Sequence, residues 1–204
     1  MNKKLYIQSY CKISNSKIDL NGRIIFSDDI LDLKSFLKLG YKKLEIKYSK
    51  FFKMDNLCKL AFLSAEIILN DSDILKEERN VALVFSNSAS SLDTDRKHQE
   101  AINDEDNYYP SPAVFVYTLP NITMGEISIK NELQSENAFF IFENYNAHFH
   151  QIYESSLIFN EKSKAVIGGW INVDGGDYEA FLYLVSEKGE IEHTEKNLIS
   201  LYKN

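Results

Sequence analysis

The strongest constraint on the fold is a series of five short apolar runs. They cover residues 5–9, 81–86, 138–142, 165–172 and 180–185, and four of the five are near-continuous rather than alternating. Continuous apolar runs of this length are typical of strands that are covered on both faces. Because helical patterns separate some of the runs, the sequence predicts an α/β domain with a mostly parallel, five-stranded sheet flanked by helices.

Two helices are predicted between the runs. Asp55 is a suitable N-cap for a helix over 55–69, which is apolar on most sides and is therefore expected to be buried nearly all round. A second stripe with helical spacing covers residues 145–157. The sequence Asp-Gly-Gly-Asp at 174–177 is a turn signal, so the last two strands are expected to pair antiparallel or through a short connection.

The chain of 204 residues is long enough for a single domain over 1–204. Two segments do not fit a minimal α/β unit and are interpreted as insertions. Residues 14–53 are lysine-rich and read as irregular, and residues 87–120 carry the signals of loops and turns. Both are polar and are expected to be poorly suited to burial, and long insertions of this kind usually serve function or an interface.

Composition excludes several classes of function. The net charge is −7 and the chain has three arginines, Arg23, Arg79 and Arg96, so nucleic acid is not an expected partner. No apolar run approaches ~18 residues, so no membrane span is expected. Cys11 and Cys58 lie far apart and form neither a disulfide framework nor a zinc motif. We therefore expect a reduced, cytoplasmic protein with no metal site and no cofactor.

The four histidines are the first candidates for acid–base chemistry. His148 and His150 are two residues apart on a predicted helix and point to different sides. His150 and Glu154 share a helix face, which fits half of a metal site, an oriented base or, more commonly, a solvated surface pair. His98 lies in a charged stretch and is expected to be exposed, and His193 lies in a polar C-terminal tail.

A resemblance to a known family rests on one longer stretch and several short ones. Residues 119–129 read LPNITMGEISI, and Glu136-Asn137 and an apolar strand follow. This resembles the β-ketoacyl-(acyl carrier protein) synthases, in which an L-P-N-x-x-x-G-x-I-A-I … G-x-N run leads into the strand that presents the nucleophile. Residues 53–61, KMDNLCKLA, are similar to the family's R-M-D-x-L-x-R-L-A helix, and the short stretches 81–88, 166–169 and 179–187 follow in the family's order.

The resemblance covers roughly residues 50–187 plus the first strand and implies the N-terminal half of a thiolase-like fold. In the family, the nucleophilic cysteine follows the strand in a T-A-C-S-S elbow. Here Asn144 takes that place, or Glu143 if the alignment slips by one residue. The family's second-half histidine motifs have no counterpart. The resemblance therefore implies that the chain alone has no condensing activity. If the protein is an enzyme, the resemblance implies a 3-oxoacyl-(acyl carrier protein) synthase-like acyltransferase.

The function that the resemblance implies is a non-catalytic, chain-length-factor-like subunit in fatty-acid, polyketide or aryl-polyene-type biosynthesis. Its expected partners are an active ketosynthase, or a second copy in a dimer, and an acyl carrier protein. The partner is expected at the edge of strand 138–142, with Phe139, Phe140 and Phe142 as interface candidates, although core packing is the alternative role for these rings. Two other hypotheses remain: an atypical acyl-processing or decarboxylating enzyme that uses Glu143 with His148 or His150, and a small α/β binding module unrelated to acyl chains.

A basic segment is the candidate docking surface for the carrier protein. Residues 34–53 hold seven lysines and a single acidic residue, while the chain as a whole is acidic. Since acyl carrier proteins are acidic, the resemblance implies docking at this segment. A solvated lysine-rich surface is the alternative. The docking candidates are Lys42, Lys43, Lys47, Lys50 and Lys53.

Overall fold

The structure is a computed structural model, and it describes residues 4–29, 32–103, 106 and 108–203. Residues 30, 31, 104, 105 and 107, within the two predicted insertions, and the terminal residues 1–3 and 204 lie outside the described part. The strands are β1 (Tyr6–Ser14), β2 (Lys17–Leu20), β3 (Arg23–Ser27), β4 (Val81–Asn87), β5 (Asn137–Ile141), β6 (Ala165–Asp174), β7 (Asp177–Ser186) and β8 (Ile191–Glu192).

The helices occupy the connections between these strands. A short 3-10 helix, Ser49–Lys53, precedes the longest of them. The α-helices are α1 (Leu33–Lys43), α2 (Asn56–Asp71), α3 (Ile74–Glu77), α4 (Leu92–Glu100), α5 (Pro112–Val116), α6 (Ile122–Asn131), α7 (Ala147–Phe159) and α8 (Glu195–Lys203).

The prediction of an α/β fold with a sheet flanked by helices is confirmed, but the sheet is mixed rather than mostly parallel. In the described part of the chain it has eight strands, with the order β3-β2-β1-β7-β6-β4-β5 and with β8 beside β1. Only the pairs β4–β5 and β4–β6 are parallel. A continuous apolar run indicates that both faces of a strand are covered, but it does not indicate the direction of the strand. β6 and β7, for example, are buried on both faces and still pair antiparallel.

Helices cover both faces of the sheet. The helix predicted over 55–69 is α2, and Asp55 caps it by accepting a hydrogen bond from the Cys58 amide at 2.8 Å. Its residues from Leu57 to Leu69 are all buried, as predicted. α2 packs on β1, β6 and β7, while α7 and α8 cover the opposite face. The turn at 174–177 closes the antiparallel β6–β7 hairpin with Asp174 opposite Asp177.

The segment 14–53 is not irregular, and its polar composition is a poor guide to its burial. Its described part contributes β2 and β3, which extend the sheet beyond β1, and α1, which packs on α2. Phe36, Leu37 and Phe51 are fully buried in the core on the α2 side. A few large apolar residues at helical spacing are sufficient to anchor an otherwise lysine-rich element.

The segment 87–120 also contains more regular structure than its turn residues predict. Within its described residues, α4 and α5 form, and Ser111 caps α5 as its side chain accepts from the Val114 amide. Its apolar residues are more exposed than those of 14–53: Tyr109 is 79% exposed and Phe115 57% exposed. Among the described residues, no helix combines the length and apolar character needed to cross a bilayer.

Candidate functional site

A cluster of polar side chains is fully buried between α7 and the sheet. It consists of Ser86 at the end of β4, His150 and Glu154 on α7, Tyr183 on β7 and His193 just before α8, and we call it the Glu154 cluster. Each of these residues is at most 4% exposed. Because an unpaired buried charge is strongly unfavourable, the partners of Glu154 determine whether this arrangement is stable.

The carboxylate of Glu154 lies at the centre of the cluster. Its Oε1 is 2.7 Å from His150 Nδ1 and accepts a hydrogen bond from the Tyr183 hydroxyl at 3.0 Å. Its Oε2 lies 3.0 Å from His193 Nε2, at an angle too poor for a hydrogen bond. On the other side of the His150 ring, Nε2 is 2.7 Å from Ser86 Oγ. Serine, histidine and carboxylate therefore lie in series.

Burial raises the pKa of Glu154, whereas the hydrogen bond from His150 and the nearby His193 lower it. The lowering effects are larger together, so the pKa of Glu154 lies below its ordinary value. The carboxylate is thus held ionised inside the protein. A Ser–His–carboxylate series can activate a hydroxyl for nucleophilic attack. Ser86, His150 and Glu154 are all fully shielded from solvent, however, so a substrate does not reach the Ser86 hydroxyl in this conformation. The geometry therefore assigns the cluster to positioning α7 on the sheet.

The glycine at position 168 makes this packing possible. A Cβ on Gly168 in β6 would lie 1.9 Å from Glu154 Oε1 and 2.5 Å from its Cδ. Only a residue without a side chain leaves room for the carboxylate against the strand. Glycine at position 168 is thus explained by the close approach of a charged helix residue.

The interpretation of His150 and Glu154 as a solvated surface pair is wrong, and His193, which was expected only to lie in a polar C-terminal tail, is buried. His150 and Glu154 share a face as expected, but that face lies against the sheet. Apolar residues occur on most sides of α7, which is consistent with burial of some of its polar residues, although His148 on the same helix is exposed. For His193, a two-residue strand, β8, draws the chain back onto β1, and nothing in the sequence marks a strand so short.

The connection between β5 and α7 contains the residues that the resemblance aligns with the family's cysteine. Residues 142–146 leave the strand and enter the helix, and Asn146 caps α7 by accepting from the Phe149 amide at 3.0 Å. Glu143 and Asn144 both have exposed side chains in this elbow. The structure therefore places Asn144 at a strand-to-helix elbow, as predicted, with no thiol beside it.

Neither predicted partner of Glu143 is engaged with it. His148 is exposed and its Nδ1 lies 2.9 Å from Glu195 Oε2 on α8. His150 has both ring nitrogens occupied inside the Glu154 cluster. Both histidines that the acyl-processing hypothesis invokes thus have partners other than Glu143.

Both cysteines are buried. Cys11 lies inside β1, where burial and then the charge of Asp19 raise its thiol pKa. Cys58 lies in the first turn of α2, where a helix N-terminus would ordinarily favour a thiolate. Burial and the neighbouring Asp55 instead raise the pKa of Cys58 well above its ordinary value. Each thiol is therefore protonated and shielded near neutral pH.

We expect neither cysteine to accept an acyl group, because the attacking species is the thiolate and both thiols are protonated and buried. Intact-mass spectrometry after incubation with an acyl thioester should show the unmodified mass in the native protein. The same incubation after denaturation at mildly alkaline pH is the control, in which both thiols become accessible. An adduct on Cys11 or Cys58 of the folded protein would contradict the expectation.

The aromatic side chains of the edge strand are partly used within the chain. β5 ends the sheet, and β4 is its only strand neighbour among the described residues. The Phe140 ring packs on Phe149 and Tyr153, with centroids 4.6 and 5.2 Å apart. Phe139 packs partly against the core on the α2 side. Ile141, which was not among the predicted interface residues, is the more exposed apolar side chain of β5, at 52%.

The predicted docking lysines all have exposed side chains. Lys42 and Lys43 end α1, while Lys50 and Lys53 belong to the 3-10 helix. Lys50 lies 4.0 Å from Glu126 on α6. Lys47 lies in the short connection between the two helices.

Comparison with solved structures shows the fold. The ishigamide ketosynthase/chain length factor superimposes with a TM-score of 0.63 at 12% identity, covering 92% of this chain and 64% of that chain. The ketosynthase ApeO in complex with its chain length factor ApeC from Xenorhabdus doucetiae gives 0.61 at 11% identity, covering 98% of this chain and 90% of that chain. The fold is that of the ketosynthases.

A third similar structure is AntDE:AntF, a type II polyketide synthase acyl carrier protein in complex with its ketosynthase bound to the hexaketide, with a TM-score of 0.61 at 12% identity. The chain spans 63% of that structure's matched chain. The resemblance to the synthases drawn from residues 50–187 is thus confirmed at the level of fold. No family model and no curated protein matches the sequence.

Proposed function

We propose that this protein is a chain-length-factor-like subunit that has no condensing activity of its own and pairs with an active ketosynthase. Its place would be in polyketide, aryl-polyene-type or fatty-acid biosynthesis, in the cytoplasm, as a single domain over 1–204. The observation that carries the proposal is the elbow at Asn144: the chain has the ketosynthase fold but offers an exposed amide and the Glu143 carboxylate where that family has its thiolate.

The edge of β5 supports the proposed pairing. An edge strand presents unpaired backbone groups, and a charged side chain usually discourages association there. The run from Ala138 to Phe142 carries no charge. Ile141 at the end of β5 is 52% exposed. Two of the similar structures are described as a ketosynthase with a chain length factor, an assembly of the kind proposed here.

An acyl carrier protein is the second proposed partner, docked on Lys42, Lys43, Lys47, Lys50 and Lys53. The exposed ammonium groups form a surface complementary to an acidic partner, and such surfaces accelerate encounter more than they raise affinity. The acyl-processing alternative has less support, because His148 and His150 are engaged by Glu195 and by the Glu154 cluster rather than by Glu143.

Replacement of Ile141 by lysine is expected to abolish pairing with the ketosynthase. A charge at the centre of an edge interface becomes buried without a partner, which costs several kcal/mol and lowers the affinity by at least about a hundredfold. The measurement is size-exclusion chromatography with light scattering on the protein co-expressed with an active ketosynthase of the same organism.

Ile24→Lys is the matched control. Ile24 is 60% exposed on β3, the strand at the opposite end of the sheet, so the same change there is expected to leave the complex intact. Both variants should melt within a few degrees of the wild type, since both side chains are largely exposed. A wild-type protein that remains monomeric and captures no ketosynthase, or equal loss in both variants, would refute the proposed pairing.

A further inference from the structure

A cavity of about 420 Å³ opens between the start of α2, α4 and α5, away from both the elbow and the β5 edge. Its charged lining consists of Lys34, Lys53, Lys59, Lys97 and one carboxylate, Asp55. We call this the lysine cavity. Its volume is within the range typical of pockets for small organic ligands. Four ammonium groups around one concave space repel one another, so the arrangement favours an anionic occupant.

The single carboxylate of the cavity, Asp55, offsets the charge of one of the four lysines at most. Asp55 Oδ1 accepts the Cys58 amide at 2.8 Å, and Oδ2 accepts the Thr94 hydroxyl at 2.6 Å. Both of its oxygens are thus engaged by uncharged donors. Lys97 pairs with Asp93 at 2.7 Å. Lys34 and Lys53 have exposed side chains and form no ion pair with any described residue, so their charges are available to a ligand.

Lys59 differs from the other three because it is only 3% exposed. Its ammonium group donates to the Met54 carbonyl at the wall of the cavity. Burial lowers the pKa of Lys59 to about 8, against the opposing effect of Asp55. An anion in the cavity would stabilise the charged form of this side chain. A lysine with a strongly shifted pKa that lies in a cleft is a candidate for a binding site.

The wall formed by α5 is apolar. Val114 and Tyr117 line the cavity beside the lysines. The cavity therefore combines a cationic end with an apolar surface, and a ligand that matches both has a dianionic head and a short apolar portion.

We propose that the lysine cavity binds the phosphate group of a small organic phosphate, with the apolar part of that ligand against Val114 and Tyr117. A phosphate fits better than a carboxylate because it carries up to two charges and three terminal oxygens, enough to engage several lysines at once. Lysines act as flexible point charges toward phosphate, so they need no fixed bidentate geometry. This inference is independent of the proposed pairing with a ketosynthase.

The test is isothermal titration of the isolated protein with phenyl phosphate, inorganic phosphate and benzoate. Phenyl phosphate is expected to bind with 1:1 stoichiometry and about tenfold more tightly than inorganic phosphate, because its ring is buried on the apolar wall. Benzoate, with one charge, should bind more weakly than phenyl phosphate. The affinity for phenyl phosphate should fall as the pH rises above about 8, where Lys59 of the free protein loses its proton.

Lys53→Gln is expected to weaken phenyl phosphate binding about tenfold, because it removes one charge-assisted contact at an exposed position that the fold does not need. Lys59→Met should weaken it further and remove the pH dependence near 8. Lys196→Gln is the control: it changes the net charge equally at an exposed lysine of α8, outside the cavity.

Two results would overturn the proposal. One is the absence of saturable binding of phenyl phosphate at about 10 mM, well above the range of specific sites. The other is equal weakening by Lys196→Gln and Lys53→Gln, which would show a general effect of charge rather than a site. Loss of ketosynthase pairing in a separate experiment would leave these titrations unaffected.

Discussion

Gly168→Ala is expected to lower the free energy of unfolding by about 3–5 kcal/mol. The new methyl group would lie 1.9 Å from Glu154 Oε1, and the carboxylate does not retreat without breaking its contacts with His150, His193 and Tyr183. For a chain of this length the change corresponds to a fall in melting temperature of about 10 °C. Urea denaturation of both proteins measures it.

A second variant distinguishes this mechanism from a general effect of substitution in a strand. Glu154→Ala alone should also cost about 3 kcal/mol, since it leaves the buried His150 and Tyr183 without their acceptor. In that background Gly168→Ala should cost less than about 1 kcal/mol, because the methyl group enters the space that the carboxylate has left. The coupling between the two positions is therefore expected to be at least about 2 kcal/mol.

Gly125→Ala is the control for the glycine substitution. Gly125 lies inside α6, and a Cβ there meets no atom within 4 Å. Alanine at this site should be neutral or stabilise by up to about 1 kcal/mol through the unfolded chain. Additive effects of Gly168→Ala and Glu154→Ala would show that the carboxylate does not restrict position 168.

Much of the fold could be predicted from the sequence, because the decisive signals are local. Asp55 and the apolar positions that follow it specify α2, and the Asp-Gly-Gly-Asp turn specifies the β6–β7 hairpin. The strand-to-helix elbow at Asn144 follows from the apolar run before it and the helical stripe after it. Each of these features depends on neighbouring residues and not on distant partners.

Strand direction and buried charge could not be predicted in the same way. The residues of β7 indicate only that both faces of the strand are covered. The direction in which β7 pairs with β1 and β6 depends on the path of the whole chain. The Glu154 cluster joins Ser86, Tyr183 and His193, which lie far apart in sequence from α7. The i, i+4 spacing of His150 and Glu154 is the same for a surface pair and for a buried one.

The Glu154 cluster and the proposed interface are connected through α7. The elbow at Asn144 leads directly into this helix, and Phe149 and Tyr153 on α7 support the Phe140 ring of β5. Fixing α7 on the sheet through Glu154 therefore also fixes the edge at which a ketosynthase would pair. Buried charge and close packing hold α7 on the sheet, and the elbow that leads into α7 is positioned with it.

Gly169→Ala is expected to be more damaging than Gly168→Ala, with a loss of at least about 4 kcal/mol. Gly169 has a φ of 142°, which disfavours residues with a side chain, and a Cβ there would lie 2.0 Å from the Phe181 carbonyl oxygen. That oxygen belongs to the backbone of β7, so rotation of a side chain gives no relief. Relief requires β6 and β7 to separate at the centre of the sheet, where Gly169 faces Leu182.

The two glycine substitutions are thus expected to respond differently to removal of the Glu154 carboxylate. In Glu154→Ala, the cost of Gly168→Ala should nearly vanish, whereas Gly169→Ala should keep its full cost because the carboxylate is not among its nearest contacts. Urea denaturation of the single and double variants gives both coupling energies. If Glu154→Ala also removed the cost of Gly169→Ala, the loss of stability would come from contacts with α7. The backbone contact with β7 would then not be its cause.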